Sequence, residues 1–453
     1  MQRRKKKAAL LGRPVLIAIS EQVRPADLLA VFESLAFREK VFLWLGTGTR
    51  SLLGAGDACT LSAAGASRFH DLSCRWNRLA EEAIVSGPIA PVALGGFRFD
   101  EQGTRSPLWR EFSDGELTLP EYTILREGEC WYRIRAGLLA PGEEKDASSF
   151  FRDVPAEHAA SDRTCGKEDY AVDIHESPDA EERWNTLIAR ALHAIRRGEL
   201  KKVVAARPLH LTASPSFPLA SILRRMHRNN PAACTFAFGR AESCFLGATP
   251  EILFRAEGGF FRTMALAGSA PRGKTPEEDQ RLGKALLSCR KEREEHEFVV
   301  REVQKTLEPL CRNIRVDAGP SLHRLPRVQH LITRFEGELK PGRSLLHIVE
   351  RLHPTPAVGG LPSEQATAFL REHEGFDRGW YAGPVGWLDM KGDGEFMVAL
   401  RSGLAGETHA DLFAGCGIVS GSDAENEYRE TGLKLKTMLD AVLPPQAAAS
   451  SRE

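Results

Sequence analysis

This chain of 453 residues lacks several features that would assign it to a special class of protein. Basic and acidic side chains number 61 each, so no net charge favours nucleic acid or an anionic membrane as the main partner. No apolar run approaches the roughly 18 residues of a transmembrane helix. The nine cysteines are scattered and never spaced as Cys-x-x-Cys, which argues against a disulfide framework or a zinc site and fits reduced thiols.

The start of the chain also lacks the pattern of a secretory signal peptide. Met1–Lys7 is basic, but Arg13 and Pro14 interrupt the apolar stretch that follows it. A signal peptide needs a continuous apolar run before its cleavage site. We therefore expect a cytoplasmic protein, and we interpret Val15–Ile19 as the first β-strand.

Two regions of different pattern follow each other along the chain. Residues 1–150 form a β-rich N-terminal region of short apolar runs broken by Gly and Pro, and the polar stretch 141–173 is typical of a surface connection. From residue 175 to residue 445, helical and strand patterns mix irregularly without a βαβ period. This mixture predicts layered α+β elements and not a doubly wound sheet.

Hydrophobic periodicity predicts the individual elements. In the N-terminal region we expect strands near Lys40–Leu45, Ile89–Phe97 and Cys130–Ile134, a short helix around Val31, and a helix over His70–Ile84. In the second region we expect helices at Pro178–Arg197 and Leu219–His227, a strand at Lys202–Leu209, and β-rich segments at Thr235–Gly247, Ile252–Arg262, Phe396–Leu400 and Phe413–Val419.

Two helix starts carry capping signals. Thr275 with Glu278, and Pro276 at the first helical position, predict a long helix that extends to about Leu310. Ser422 with Glu425 predicts a second capped helix that extends to about Leu443.

Both of these helices carry paired carboxylates. Glu292 and Glu295 lie three residues apart, as do Glu427 and Glu430, and Lys434 follows one turn after Glu430. Two such pairs could form an oxygen-only site for a hard cation such as Mg²⁺, which takes few protein carboxylates plus water and a ligand anion. The alternative is that these residues lie on solvated helix faces, where the same spacing is very common.

Anion-binding features lie close to the second helix. Gly415 and Gly417 occupy the centre of an apolar strand-like run, where a ligand can approach the backbone and meet its N–H groups. Arg401 ends another apolar run and is suited to bidentate recognition of a carboxylate. A structural salt bridge of Arg401 fits the spacing equally well.

Seven segments of the second region stand out, in the order Lys202-Val-Val-Ala-Ala-Arg, Gly247-Ala-Thr-Pro-Glu-Ile-Leu, Ala265-Leu-Ala-Gly-Ser-Ala-Pro-Arg-Gly, Leu352-His-Pro-Thr-Pro-Ala-Val-Gly-Gly, Arg378-Gly-Trp-Tyr-Ala-Gly-Pro-Val-Gly-Trp, Gly392-Asp-Gly-Glu-Phe and Ala414-Gly-Cys-Gly-Ile-Val. In this order they resemble the chorismate-utilising enzymes, which include isochorismate, anthranilate, aminodeoxychorismate and salicylate synthases. The likeness covers Trp184 to Leu443, whereas residues 1–150 resemble the variable N-terminal part only loosely. It implies the chorismate-binding-enzyme fold of layered antiparallel β-sheets flanked by helices, with 175–445 as the catalytic region in one intertwined domain.

The resemblance implies a role for each candidate residue. Glu295 and Glu430 would bind Mg²⁺ directly, and Glu292 and Glu427 would do so through water. The substrate-binding residues would be Tyr381, Arg401, Lys434, His330 and the backbone N–H groups of Gly415 and Gly417. For His330 a packed or surface position remains the alternative.

The resemblance also implies Lys202 as general base and Glu251 as general acid. Water attacks C2 of the chorismate ring while the hydroxyl on C4 leaves, so each oxygen needs a proton partner. A lysine acts as a base near neutral pH only if burial or a neighbouring cation lowers its pKa, and a glutamic acid needs its pKa raised. Without the resemblance, Lys202 beside Lys201 would look like an exposed strand end.

Two alanines indicate the isochorismate synthase branch, an isomerase. Ala267 stands where the aminodeoxychorismate branch has a nucleophilic lysine, and Ala357 stands where salicylate synthases have a hydroxylated residue. The motif Val31-Phe-Glu-Ser-Leu resembles the tryptophan-sensing motif of anthranilate synthases only faintly, so no glutaminase partner is expected. The product would serve menaquinone or catechol siderophore biosynthesis. Salicylate or anthranilate formation, and an inactive chorismate-binding paralogue, remain the alternatives.

Overall fold

The computed structural model of the protein describes residues 12–37, 39–48, 50–141 and 170–444. The basic start Met1–Lys7 and most of the predicted connection 141–173 therefore lie outside the described residues. The strands are β1 Val15–Gln22, β2 Val41–Leu45, β3 Arg50–Ala55, β4 Cys59–Ala63, β5 Ile84–Ser86, β6 Val92–Phe97, β7 Gly115–Leu119, β8 Tyr122–Glu127, β9 Cys130–Leu139, β10 Ala171–His175, β11 Lys202–Ser214, β12 Cys234–Gly239, β13 Cys244–Thr249, β14 Ile252–Glu257, β15 Phe260–Pro271, β16 Cys311–Val316, β17 Ser321–Arg324, β18 Val328–Leu339, β19 Gly360–Leu361, β20 Pro384–Asp389, β21 Gly394–Val398, β22 Ser402–Ala405 and β23 His409–Ile418.

The helices of the described part are α1 Leu28–Leu35, α2 Arg68–Glu82, α3 Ala180–Arg196, α4 Leu219–Asn229, α5 Pro276–Ser288, α6 Arg290–Leu307, α7 Leu345–Leu352, α8 Ser363–His373 and α9 Ala424–Val442, with a short 3₁₀ turn at Pro107–Trp109. Among the residues described, no helix has the length and apolarity that crossing a bilayer demands.

Two sheets organise the fold. The larger sheet has 13 strands in the order β10-β11-β23-β22-β13-β12-β2-β3-β8-β9-β1-β5, with β19 paired to β11. The smaller sheet has 10 strands in the order β16-β18-β15-β14-β21-β20-β6-β7-β4, with β17 paired to β18. Neighbouring strands pair antiparallel except β1 with β5. The prediction of an α+β protein with layered antiparallel sheets is confirmed.

The apolar core lies in two layers. One cluster, which includes Trp109, Phe245 and Trp380, fills the space between the sheets, and aromatic rings meet there edge to face. A second cluster lies between the outer face of the larger sheet and helices α1, α4 and α9, with Phe32 and Leu223 among its buried members. Both layers use the alternating apolar side chains of the strands.

Most element predictions from the sequence are confirmed, and three are wrong. The helix expected to continue to Leu310 is divided into α5 and α6, because Cys289 adopts an extended backbone between them. The second capped helix begins after Asp423, whose side chain accepts from the Asn426 amide, whereas the Ser422 hydroxyl accepts from the Val419 amide. The end of the predicted connection is strand β10, because its backbone pairs with β11.

Strands from both predicted regions meet within each sheet. Strand β2 pairs with β12 through Leu45 and Thr235 in the larger sheet, and β6 pairs with β20 through Leu94 and Trp387 in the smaller one. The boundaries at residues 150 and 175 stay a prediction.

A buried aspartate joins the N-terminal strands to a turn of the second region. One carboxylate oxygen of Asp377 accepts from the Arg98 guanidinium at 2.5 Å, and the other accepts from the Ser106 amide at 2.8 Å. The Trp109 indole N–H donates to the backbone carbonyl of Asp377 at 3.1 Å. The side chains of Arg98 and Asp377 are 3% and 5% exposed, so each buried charge is stabilised by the opposite charge of the other.

We expect Asp377→Ala to lower the free energy of unfolding by about 3 kcal/mol, because it removes the nearest carboxylate of the buried Arg98. Urea unfolding followed by fluorescence measures the change. The matched control is Glu129→Ala, whose carboxylate is 99% exposed and whose loss should cost less than about 0.5 kcal/mol. Equal midpoints for the two variants would contradict the prediction.

Candidate active site

One cleft contains every candidate residue. Its floor is formed by β11 and β23 of the larger sheet, and its walls by β15 and β18 of the smaller sheet with helices α6 and α9. The twelve candidates that line it are Lys202, Glu251, Glu292, Glu295, His330, Tyr381, Arg401, Gly415, Gly417, Glu427, Glu430 and Lys434. Their separate roles stay a prediction.

Lys202 is buried at the start of β11 and is not an exposed strand end. Its Nζ donates to Oε1 of Glu295 at 2.6 Å, with side-chain exposures of 7% and 19%. The pair crosses from the larger sheet to helix α6. Because a buried charge is costly without a partner, this contact fixes the lysine and the helix relative to each other.

Glu251 lies where the chain passes from one sheet to the other, between β13 and β14. It is 4% exposed. Burial raises the pKa of its carboxyl to about 7, and the nearby cations Arg401, Lys202 and Lys434 offset only part of this effect. A carboxyl with this pKa holds a proton for a large part of the time near neutral pH, as a general acid must.

The two carboxylate pairs face the cleft and not the solvent. Glu292 and Glu295 are half-buried, whereas Glu294 and Glu297 of the same helix are exposed and pair with arginines one turn away. Burial, and then the negative charge of Glu295, raise the pKa of Glu292. Sequence alone favoured a solvated helix face for these residues, and the structure excludes it.

The second pair lies on α9, opposite the first. The Lys434 ammonium, 2.7 Å from Glu430, holds the pKa of that carboxyl below its usual value. Burial and then the charge of Glu430 raise the pKa of Glu427, although a hydrogen bond from Ser422 opposes the shift. Lys434 also donates to the backbone carbonyl of Gly415 at 2.9 Å.

The donor set fits a hard divalent cation. All four side chains offer carboxylate oxygens, and the pKa values of Glu292 and Glu427 are raised mainly by burial, with a further contribution from the neighbouring carboxylates. Within the part of the chain that the structure describes, no three His, Cys, Asp or Glu side chains converge as a closed metal site. Mg²⁺ does not need one, because one or two carboxylates with water and a ligand anion suffice.

Strand β23 contains two glycines whose backbone amides do not pair with β11. Val204 and Ala206 of β11 donate to Gly359 and to Glu374, not to β23. Their cross-strand partners, Gly417 and Gly415, therefore hold the non-hydrogen-bonded positions of this ladder, with amide groups directed away from β11. This geometry suits the predicted binding of an anion by their N–H groups.

Arg401 follows β21 in a strained conformation. Its φ is +48°, in the left-handed region that side chains other than glycine seldom adopt. Its Nη2 lies 3.4 Å from Nε2 of His330, and the structure gives it no carboxylate partner among the described residues. The alternative of a structural salt bridge is therefore wrong for the described residues, and the guanidinium is available to an anion.

Tyr381 and His330 complete the cleft wall. Tyr381 stacks on Phe413 with ring centroids 5.1 Å apart, and burial raises its pKa. His330 is 6% exposed, so it is not a surface histidine. Burial and the nearby Arg401 guanidinium lower the pKa of the imidazole well below its usual value, so the ring is neutral.

Sequence reasoning gave no role to a buried ion pair behind the cleft. Arg378 lines the cleft and pairs with Glu374 at 2.6 Å, and it donates to the carbonyls of Val204 and Val358. It therefore joins β11, the segment after Ala357 and the turn that carries Tyr381. Arg378 opens one of the quoted motifs, but Glu374 carries no signal in the sequence.

The two-sheet α+β fold brings carboxyl groups and basic side chains together in one cleft, the arrangement of an enzyme that binds a small anionic molecule. The profile of the chorismate binding enzyme family matches residues 3–443. The chain belongs to this family.

Similar proteins agree with this membership. The salicylate biosynthesis isochorismate synthase of Pseudomonas aeruginosa is 39% identical over 442 residues, which cover 96% of this chain and 92% of the relative. Isochorismate synthase MenF of Bacillus subtilis is 33% identical over 450 residues, which cover 96% of this chain and 95% of the relative. The solved structure of MenF, the menaquinone-specific isochorismate synthase of Escherichia coli, has a TM-score of 0.77 at 26% identity over 95% of both chains. The predicted family and isochorismate synthase branch are confirmed.

We expect Gly417→Ala to lower the free energy of unfolding by about 1–3 kcal/mol, because overpacking displaces Lys202. A Cβ at this position would lie 2.8 Å from Cε and 3.3 Å from Nζ of Lys202. The matched control is Gly432→Ala in helix α9, where nothing lies within 4 Å and alanine should stabilise the helix. Thermal unfolding of both variants measures the difference, and a Gly417→Ala protein as stable as wild type would contradict it.

Proposed function

We propose that this protein is an isochorismate synthase that converts chorismate to isochorismate. One observation carries the proposal. A buried lysine, a buried glutamic acid with a pKa of about 7, and the Arg401 guanidinium, which has no ion-pair partner among the described residues, lie in one cleft. The names of the similar proteins support the same reaction.

Chorismate carries two carboxylates, and the cleft offers donors for both. The Arg401 guanidinium forms no ion pair with a carboxylate of the described residues, and the Tyr381 hydroxyl and the Gly415 and Gly417 amides belong to the same cleft. A bidentate guanidinium contact fixes the plane of a carboxylate as well as its position. Such a grip orients the ring between Lys202 and Glu251.

The proposed chemistry adds one water and releases another. Lys202, as the neutral amine, accepts a proton from a water whose oxygen bonds to C2, both ring double bonds shift (C1=C2 to C1=C6 and C5=C6 to C4=C5), and the C4–O bond breaks. Glu251 gives its proton to the departing C4 hydroxyl, which leaves as water. The net change is an isomerisation. Lys202 acts as the base only as the neutral amine, so its ammonium group, which Glu295 holds at 2.6 Å, must first give up a proton to solvent.

Mg²⁺ is the proposed cofactor, with Glu295 and Glu430 as direct ligands and Glu292 and Glu427 behind them. When bound, it supplies positive charge to the ring carboxylate of the substrate. If Glu295 served as a ligand of the cation, it would hold the Lys202 ammonium less strongly, and a nearby positive charge would favour the neutral amine of the lysine.

The identity of the product rests on two small side chains that line the cleft, Ala267 and Ala357. Ala267 provides no amine nucleophile, which leaves water, and Ala357 provides no hydroxyl. Neither ammonia nor a glutaminase partner is needed in this proposal. The product would feed menaquinone or catechol siderophore biosynthesis.

The test incubates the purified protein alone with chorismate and Mg²⁺ and resolves the products by mass and chromatography. We expect isochorismate, no pyruvate, and loss of turnover with a chelator. Pyruvate with salicylate, or an ammonia-dependent aromatic amine, would assign another reaction of the family.

Two variants test the acid and the base. We expect Glu251→Gln and Lys202→Ala each to reduce kcat by at least about 100-fold, because each removes one proton partner. The control Glu294→Gln alters an exposed carboxylate on α6 and should leave kcat unchanged. Full turnover of Glu251→Gln would refute the assigned mechanism, and absence of turnover in wild type would favour an inactive binding paralogue.

The pH profile follows from the pKa of Glu251. Burial raises it to about 7, and the acid must be protonated, so kcat/KM should fall as the pH rises above about 7, with a limiting slope of tenfold per unit. The Arg401→Gln variant should be less active at every pH. The fall in its kcat/KM should begin at a higher pH, because a cation that lowers the pKa of Glu251 has been removed. Profiles of both enzymes measure the shift, and a movement to lower pH would contradict the assignment.

A further inference from the structure

A β-bulge shapes the wall of the cleft at Gly268. Strand β15 pairs with β18 in regular register up to Ala267 opposite Leu331, and then Ser269 stands opposite His330. Gly268 is the extra residue, with φ of +77°. A Cβ there would lie 3.1 Å from Oε2 of Glu292, so the position leaves little room for a side chain. Bulges beside active sites redirect neighbouring groups.

The group redirected here is Ser269. Its backbone N–H donates to Oε2 of Glu292 at 3.2 Å, and its Oγ lies 2.9 Å from Nδ1 of His330. The Gly268 carbonyl lies 3.3 Å from the same ring nitrogen. On its other side, Nε2 of His330 meets Arg401 at 3.4 Å. A continuous series of contacts thus leads from Glu292 through Ser269 and His330 to the guanidinium.

The chemistry of these groups determines the tautomer of His330. A guanidinium can only donate, so Nε2 must accept from Arg401 and carries no proton. In a neutral ring the proton is then on Nδ1, where the Ser269 hydroxyl oxygen and the Gly268 carbonyl can accept it. The lowered pKa of the imidazole agrees with a neutral ring.

An uncharged partner affects Arg401 differently from a carboxylate. Lys202 and Lys434 each pair with a glutamate, whereas the Arg401 guanidinium is held by an uncharged ring. The ring fixes the direction of the guanidinium without cancelling its charge. No carboxylate of the described residues forms an ion pair with the guanidinium, although Glu251 and Glu430 act on it at longer range.

We propose that Ser269 is a positioning residue for Arg401, which it aims at the substrate carboxylate by holding His330 in its Nδ1–H tautomer. This inference deepens the proposed function and rests on it for the identity of the substrate. Without the Ser269 hydroxyl only the Gly268 carbonyl, at 3.3 Å, remains to accept from Nδ1–H, so the ring is less firmly fixed and the guanidinium loses its fixed direction.

The first test compares Ser269→Ala with Ser269→Thr, which keeps a hydroxyl. Arg401 grips the carboxylate before and during the reaction, so we expect Ser269→Ala to raise KM for chorismate about tenfold with kcat within about threefold of wild type. Ser269→Thr should restore KM. Both variants keep the backbone N–H to Glu292, so the Mg²⁺ concentration for half-maximal activity should not change.

The matched control lies on the same strand, outside the cleft. Thr263→Val removes a buried hydroxyl that donates to the Leu253 carbonyl at 2.6 Å. It should lower stability without raising KM. If it raised KM as much as Ser269→Ala does, the effect would be structural and the proposal would be overturned.

The second test measures the tautomer directly. ¹⁵N NMR of histidine-labelled protein, with His330 assigned from a His330→Asn variant, should show Nδ1–H in wild type and Ser269→Thr and a mixture in Ser269→Ala. An Nε2–H ring or an imidazolium in wild type would overturn the proposal.

Calorimetric binding of chorismate separates this inference from the proposed function. If wild type binds chorismate but makes no isochorismate, while Ser269→Ala weakens binding and alters the tautomer, the function fails and the positioning role stands. If wild type makes isochorismate and Ser269→Ala matches it in KM and tautomer, the positioning role fails alone.

Discussion

The cleft depends on the ion pair between Lys202 and Glu295. A buried charge tolerates little freedom, because its partner must stay within hydrogen-bond distance. This pair joins the first residue of β11 to α6, and the pair of Lys434 with Glu430 lies within α9, from which Lys434 reaches the Gly415 carbonyl. Helices α6 and α9 and the neighbouring strands β11 and β23 of the larger sheet are thereby held in place. The cation that these carboxylates are proposed to bind would replace those contacts.

The N-terminal strands contribute to the site without lining it. Arg98 and the Ser106 amide hold Asp377, and the next residue, Arg378, enters the cleft with Glu374 as its partner. Trp109 packs against Gly379, where any Cβ would lie 2.0 Å from the indole ring. The turn that presents Tyr381 is therefore shaped from outside the catalytic region. This gives a physical reason for a β-rich region whose own sequence carries no chemical motif.

The sequence predicted which side chains meet in the cleft better than it predicted the contacts that position them. Helical spacing placed Glu292 with Glu295 on one face, because a local period determines which side chains share a face. The role of Ser269 could not be predicted, because a bulge is a mismatch between two strands and the sequence of neither strand alone reveals it. The break at Cys289 was missed for a related reason, since no Gly or Pro marks it. Burial of Lys202 depends on α6, which is distant in sequence.

Charge balance explains why a divalent cation belongs in the proposed reaction. Five basic side chains line the cleft, Lys202, Lys291, Arg378, Arg401 and Lys434, and five acidic ones face them, Glu251, Glu292, Glu295, Glu427 and Glu430. In the reactive form proposed above, Lys202 and Glu251 are both uncharged, so four basic and four acidic side chains remain. The cleft is then close to neutral, and a substrate with two carboxylates would leave it two charges negative. A bound Mg²⁺ restores neutrality. Because Coulomb energies are large in a partly desolvated site, cation and substrate should each strengthen the binding of the other. Arg401, the cation with an uncharged partner, then supplies direction where Mg²⁺ supplies charge.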